Sequence, residues 1–157
     1  GRVLEIGTGI GRTCYVATNW AKPSLYVTVD NSPIILAIAL CRNPISAYRE
    51  VLHKEVVRIS LCDAAKIVNI MRGIIKFDHI IHDGRPNPQR NPRLFNKEFL
   101  RSLCSLLREG GTLSLFVGRH KGWQGKLFTM LRELGFEVHS VSFPDTPVLV
   151  FHAKKKA

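Results

Sequence analysis

Three glycines at every second position, Gly7, Gly9 and Gly11, follow the strand-like run RVLEI. Without a Cβ, such a turn lets backbone N–H groups come close to a ligand. Three acids stand at or near the ends of three successive strand-like runs. Glu5 precedes the first glycine by two residues, Asp30 closes SLYVTVD, and Asp63 follows VVRISLC. An anion beside a phosphate-binding turn gains nothing, whereas a cationic or amino-bearing ligand gains an attractive partner. Asp30 is placed to accept both ribose hydroxyls of an adenosine. Asp63, with the small Ala64 beside it, is placed to bond an adenine amine and leave room for the ring. Any one of these acids, taken alone, is more often a helix cap. Together they decorate successive strand ends on one rim. The dinucleotide fingerprint G-x-G-x-x-G wants a small residue where this chain has Arg12.

The elements that carry these residues alternate. Strands are predicted at RVLEI, SLYVTVD, VVRISLC, FDHIIHD and TLSLFVG, and helices at GRTCYVATNWA, NSPIILAIALCRN, AAKIVNIMRG, LFNKEFLRSLCSLLREGG and QGKLFTMLRELG. Ser32 is set to cap the second helix, Pro33 occupies its first turn, and the helix stops before Pro44. Strands alternating with helices imply a doubly wound, mostly parallel sheet. FEVHSVSF and TPVLVFHA break the rhythm. The link between them is too short for a parallel crossover and permits an antiparallel hairpin. The expected fold is therefore α/β, a mostly parallel seven-stranded sheet with a C-terminal antiparallel hairpin. The final KKK reads as a solvated tail.

At 157 residues the chain is expected to be a single domain spanning 1–157. It enters its first strand at once, so a substrate-binding region is expected upstream. No apolar run reaches the ~18 residues of a membrane span. Cys14, Cys41, Cys62 and Cys104 are widely spaced with no C-x-x-C pair. That gives neither a zinc site nor a disulfide framework, and implies reduced thiols in a cytoplasmic protein. A net charge of +11 points to a polyanionic partner, most simply nucleic acid.

VLEIGTGIG, LYVTVDNSP, ISLCDAAKI, FDHIIHDGRP and LREGGTLSLFVG resemble, in order, the motifs of class I S-adenosylmethionine-dependent methyltransferases. The resemblance covers nearly the whole chain, including the reversed last strand. It extends to a group of predicted archaeal methyltransferases, whose fourth strand ends in a D-P-P-R-like motif followed by a helix similar to LFNKEFLRSL. It implies S-adenosyl-L-methionine as cofactor. By the resemblance, Glu5, Gly7, Thr8, Gly9 and Gly11 lie at the methionine end, Asp30 and Asn31 at the ribose, and Asp63 and Ala64 at the adenine. Asp83 then stands near the transferred methyl.

In HDGRPNPQR, Asp83 can orient an amine or hydroxyl, Gly84 admits a substrate to the backbone, and Arg85 and Arg90 can bind phosphate. The better reading of His82 is a buried strand-end histidine bonded to backbone. Many methyltransferases that act on base amines place an aromatic in this motif, where this chain has none. Phe95 and Trp123 read as packing residues. Arg93, Lys97 and Arg101, then Arg119, His120, Lys121 and Lys126, follow carboxyl ends of strands and favour an RNA substrate, with Arg85, Arg90 and Lys121 as its contacts. Three alternatives stay open: an aminopropyltransferase of the spermidine-synthase type, a non-catalytic RNA-binding subunit, and a nicotinamide-dependent oxidoreductase.

Overall fold

The computed structural model describes residues 1–84 and 88–156. Five strands alternate with helices. They are β1 (Arg2–Ile6), α1 (Arg12–Trp20), β2 (Leu25–Asp30), α2 (Pro33–Cys41), α3 (Ser46–Leu52), β3 (Val57–Leu61), α4 (Ala64–Met71), β4 (Phe77–His82), α5 (Lys97–Leu106) and β5 (Leu107–Gly118). Then come α6 (Lys121–Glu133) and the hairpin of β6 (Phe136–Phe143) and β7 (Thr146–Lys155). The seven strands form one sheet in the order β3-β2-β1-β4-β5-β7-β6, with β1 to β5 parallel and β7 antiparallel to both neighbours. This is the doubly wound fold expected from the alternation.

Strand periodicity distributes the core. Leu4 and Ile6 of β1 join a large cluster with Phe77, Leu113, Leu115 and the inner faces of α4, α5 and α6. Val3 faces the other way, with Tyr26, Cys14 of α1, Ala39 of α2, and Val51 and Leu52 of α3. Both faces of β1 and β2 are thus covered, and their sequences are almost continuously apolar, as parallel central strands require. Helix α5 shows the pattern cleanly. Phe99, Leu100, Leu103 and Leu106 are buried on one stripe, and Asn96 caps the helix by accepting from the Phe99 N–H at 2.8 Å. Ser32 caps α2 by accepting from the Ile35 N–H at 3.2 Å, with Pro33 in its first turn.

Three local expectations change. Helix α3 was not anticipated. It is seven residues long, lacks a side-chain cap, and is held by tertiary packing of Val51 and Leu52 and by Tyr48 against Tyr15, ring centroids 5.3 Å apart. Strand β5 begins at Leu107, so the run Leu107–Gly111 is strand and not the end of a helix. Its pairing with β4 shifts register between Phe77 and His79, where Gly110 adopts φ +69°. The basic tail is also partly ordered. β7 continues to Lys155, whose Nζ donates to the carbonyls of Cys104 and Leu107 at 3.3 and 3.2 Å.

Leu100 is fully buried, whereas Ile34 on α2 is 70% exposed. In urea titrations Leu100→Ala should cost about 2–5 kcal/mol and Ile34→Ala less than about 0.5 kcal/mol.

Candidate functional site

Backbone hydrogen bonds tie the carboxyl ends of β2, β1 and β4 together. The Gly7 N–H donates to Val29 O of β2 at 2.8 Å, and the Asp83 N–H donates to Ile6 O of β1 at 3.0 Å. Gly7 has φ +96°, and a Cβ there would stand 2.6 Å from the Asp83 carbonyl oxygen. Only glycine allows the turn after β1 to lie flush against the exit of β4. Gly9, at φ +52°, differs. Nothing lies within 4 Å of where its Cβ would be, so its backbone faces open space. Its N–H donates to Asp30 Oδ2 at 3.2 Å, and Asp30 Oδ1 accepts from the Ser32 N–H at 2.9 Å. The Asp30 carboxylate is thereby fixed beside the glycine turn.

Asp63 is held as firmly. Oδ1 caps α4 by accepting from the Ala65 N–H at 2.8 Å, and Oδ2 accepts from Arg93 at 2.5 Å. Against the pull of burial, the Arg93 guanidinium and the Ala65 N–H hold this carboxyl below the usual range. Arg93 lies in the 3₁₀ turn Pro92–Leu94, so the ion pair ties the segment after β4 to the end of β3.

One cleft of about 770 Å³ runs along this rim, within the ~300–1,000 Å³ typical of small-molecule sites. Of the residues expected at a site, Gly7, Thr8, Gly9, Asp30, Asn31, Asp63, Ala64 and Asp83 line it together. Glu5, Gly11, Arg90 and Lys121 are not among its lining residues. Gly11 is buried, with its Cβ position 2.9 Å from Leu52 Cδ1, and it shapes the entry to α1. Arg90 and Lys121 are exposed. Arg85 lies outside the described residues. Arg12, Arg93, Leu94, Phe116 and Phe143 also line the cleft, and the motifs did not point to them. Arg12 and Arg93 had been read as a departure from a fingerprint and as one of many rim cations. Phe143 ends a strand far along the chain, and only the hairpin topology brings it here. Among the described residues, no group of His, Cys, Asp and Glu is arranged to hold a metal ion.

Two buried groups support the cleft from below. Glu5 is 1% exposed and accepts from Thr28 Oγ1 at 2.7 Å, and Thr28 Oγ1 pairs with Thr8 Oγ1, also at 2.7 Å. With the Thr28 proton on Glu5, Thr8 is the donor to Thr28. The chain Thr8–Thr28–Glu5 therefore links the cleft wall to a carboxyl in the core. Burial pushes the Glu5 pKa up to about 8, assisted by the charges of Asp83 and Asp30 and opposed by the Thr28 hydrogen bond. His82 is fully buried and packs on Phe95 and Phe99. Its Nε2 donates to Leu94 O at 2.6 Å, while Nδ1 accepts from the Gly84 N–H at 3.2 Å. Burial lowers its pKa to about 4, so it is a neutral brace for the segment around Gly84. Phe95 is a core residue and Trp123 lies under the Lys126 ammonium, as their packing reading anticipated.

Gly7→Ala should destabilise the fold by roughly 2–4 kcal/mol in urea, from left-handed strain and collision with the Asp83 carbonyl combined. The Glu5 pKa is raised in the fold, so its stabilising effect is complete at acid pH and is lost as pH rises toward 8. The lowered His82 pKa acts in the opposite sense, with stability lost as pH falls from its ordinary 6.5 toward 4. His79, its pKa also lowered by burial, acts with His82. Above about pH 7 the Glu5 effect dominates, so stability should fall as pH rises toward 8 by less than about 1.4 kcal/mol per pH unit, and Glu5→Gln should remove that fall.

The region 40–143 matches the family model of an S-adenosyl-L-methionine-dependent methyltransferase, about two thirds of the chain. An uncharacterized protein of Methanocaldococcus jannaschii is 29% identical over 141 residues. The alignment covers 86% of this chain and 46% of that protein, so the chain spans about half the length of its relative. Human methyltransferase-like protein 13 in complex with SAH superposes with a TM-score of 0.83 at 16% identity, covering 98% of this chain and 71% of that one. A spermidine synthase in complex with the transition-state analogue AdoDATO also gives 0.83, at 20% identity, covering 98% and 54%. The fibrillarin pre-rRNA processing protein of Methanococcus jannaschii gives 0.75 at 17% identity, covering 99% and 66%. At these identities the solved structures speak to the fold alone, and it is the fold expected from the sequence. The family model carries the assignment further: the chain belongs to the S-adenosyl-L-methionine-dependent methyltransferases.

Proposed function

We propose that the protein transfers a methyl group from S-adenosyl-L-methionine to a nucleophile on RNA. The observation that carries this reading is the single cleft in which the glycine turn, Asp30, Asp63 and Asp83 meet. The residues fit the cofactor. Gly9 has open space where a Cβ would be, so backbone can approach the methionine end. Asp30 and Asn31 would offer acceptors to the ribose hydroxyls, and the Asp30 oxygens are held by the Gly9 and Ser32 N–H groups. Asp63, fixed by Arg93 and Ala65, accepts from the adenine amine, and Ala64 leaves room for the ring. Glu5 acts from beneath through Thr28 and Thr8, and Gly11 acts by shaping the turn.

When bound, the cofactor would supply a methyl group on a cationic sulfur, a leaving group that would depart as a neutral thioether. The protein's task is then alignment and exclusion of water. Asp83 would accept a hydrogen bond from the acceptor N–H or O–H, orient its lone pair and take up the proton that the methylated acceptor must lose. Gly84, braced by His82, keeps the approach open. The RNA reading rests on the charge of +11 and on exposed Arg90, Arg119 and Lys121 after the carboxyl ends of β4 and β5. Arg93 and Lys97, on the same rim, pair with Asp63 and Glu133. The same cations, with Arg12 and Arg93 in the cleft, weigh against an aminopropyl transfer to a polyamine.

Calorimetry should show one S-adenosylmethionine per chain, weakened at least about ten-fold by Asp30→Ala through loss of charged hydrogen bonds. No heat with the wild type would favour a scaffold role. With labelled cofactor and total RNA, Asp83→Ala should lower methyl transfer by roughly 10²–10⁴ while cofactor affinity holds. Arg90→Ala with Lys121→Ala should reduce the slope of log affinity against log salt by about 1.4 for a single strand. Label entering protein or small metabolites, with none in RNA, would reject the substrate assignment.

A further inference from the structure

The acids and glycines occupy the part of the cleft over β3, β2, β1 and β4. Phe116 and Phe143, from the other side of the sheet order, also line it. Phe116 lies near the carboxyl end of β5, and Phe143 is the last residue of β6. Both line the same cleft as Asp83 and Gly84. The reversal of β7 brings Phe143 there. β5 and β6 each pair antiparallel with β7, so they run in the same direction and the end of β6 falls on the carboxyl rim. The tight link from Phe143 to Thr146, with Asp145 at φ +60°, fixes the hairpin tip. Phe143 is 46% exposed.

A phenyl ring left half in water at the mouth of a cleft retains apolar face that a ligand can cover. A flat unsaturated ring covers it best, because stacked faces exclude water from both sides. The surrounding rim is cationic, with Arg119 and Lys121 following β5 and Arg90 following β4. Aromatic faces beside a cationic track are the arrangement that holds single-stranded nucleic acid, since every base offers a π-face and every linkage a negative charge.

Resting on the methyl-transfer reading above, we propose that the Phe143 end of the cleft stacks an unpaired nucleobase of single-stranded RNA and turns its edge toward Asp83. A base within a duplex has both faces covered by its neighbours and cannot enter a cleft of this kind without being extruded. An acidic polypeptide would satisfy the cationic rim but has no need of the ring. The aromatic absent from the segment after β4 is thus supplied by the terminal hairpin.

The test is a fluorescence anisotropy titration of the protein saturated with S-adenosylhomocysteine. The probes are a mixed-sequence single-stranded RNA, its duplex, and polyglutamate. Phe143→Ala should weaken single-strand binding about ten-fold and leave duplex binding unchanged. Its salt slope should match wild type, because a neutral side chain releases no counterions. Phe143→Trp should restore the affinity, and a thermal melt checks that both variants fold. Single-strand affinity within two-fold of wild type for a folded Phe143→Ala overturns the proposal. So does an equal loss on single strand and duplex, or tighter binding of polyglutamate than of RNA. Calorimetry separates the two levels: no cofactor binding by the wild type overturns the methyl-transfer reading and this proposal with it. Intact cofactor binding with an indifferent Phe143→Ala overturns this proposal alone.

Discussion

The contact between Gly7 and the Asp83 carbonyl is the constraint on which the rest of the site depends. β1 and β4 are neighbours in register, Ile6 opposite His82. The turn after one must therefore leave the sheet against the exit of the other. A side chain at position 7 would push them apart, since its first carbon would overlap a backbone oxygen at 2.6 Å. With glycine there, the backbone turn and the Asp83 carboxylate share one wall. In the proposed reaction methyl donor and acceptor must meet closely, and this packing would set their binding groups side by side.

The electrostatics of the rim follow from how each acid is held. The chain is strongly basic overall, yet its cleft collects carboxylates. Asp30 is fixed by two backbone N–H groups, and Asp63 by one N–H and a guanidinium. Both stay in place with lone pairs left for a ligand. Glu5 is buried so completely that it favours the neutral form near neutral pH. It serves as a hydrogen-bond anchor beneath the glycine turn, and its influence on the cleft passes through Thr28 and Thr8. His82 does the equivalent work under Gly84, bonded to backbone on both ring nitrogens.

Much of this was legible in the residues. The alternation of apolar runs with helical stripes fixed a doubly wound sheet, the short link before Thr146 implied the closing hairpin, and Ser32 marked a helix start. What was hidden depends on tertiary context. Helix α3 has too few apolar positions to show a period, and packing on α1 creates it. The start of β5 at Leu107 follows from pairing with Phe77, which no local pattern reveals. The burial of Glu5, near Tyr26 and Cys14, is set by tertiary packing and is not visible in its place beside a glycine turn. Phe143 shares the cleft with residues some 60 to 140 positions earlier, and only the order of the last three strands brings them together.

The central claim is that the carboxyl-end cleft accepts the cofactor's nucleoside, with its adenine at Asp63 and its sulfur toward Asp83. The most direct measurement is a crystal structure grown with saturating S-adenosylhomocysteine. The account predicts the adenine beside Ala64, the ribose on Asp30, the amino-acid end over Gly7 to Gly9, and the sulfur facing Asp83. Ligand density elsewhere on the protein, or a cleft filled by Arg12 and Arg93 with the nucleoside excluded, would contradict it.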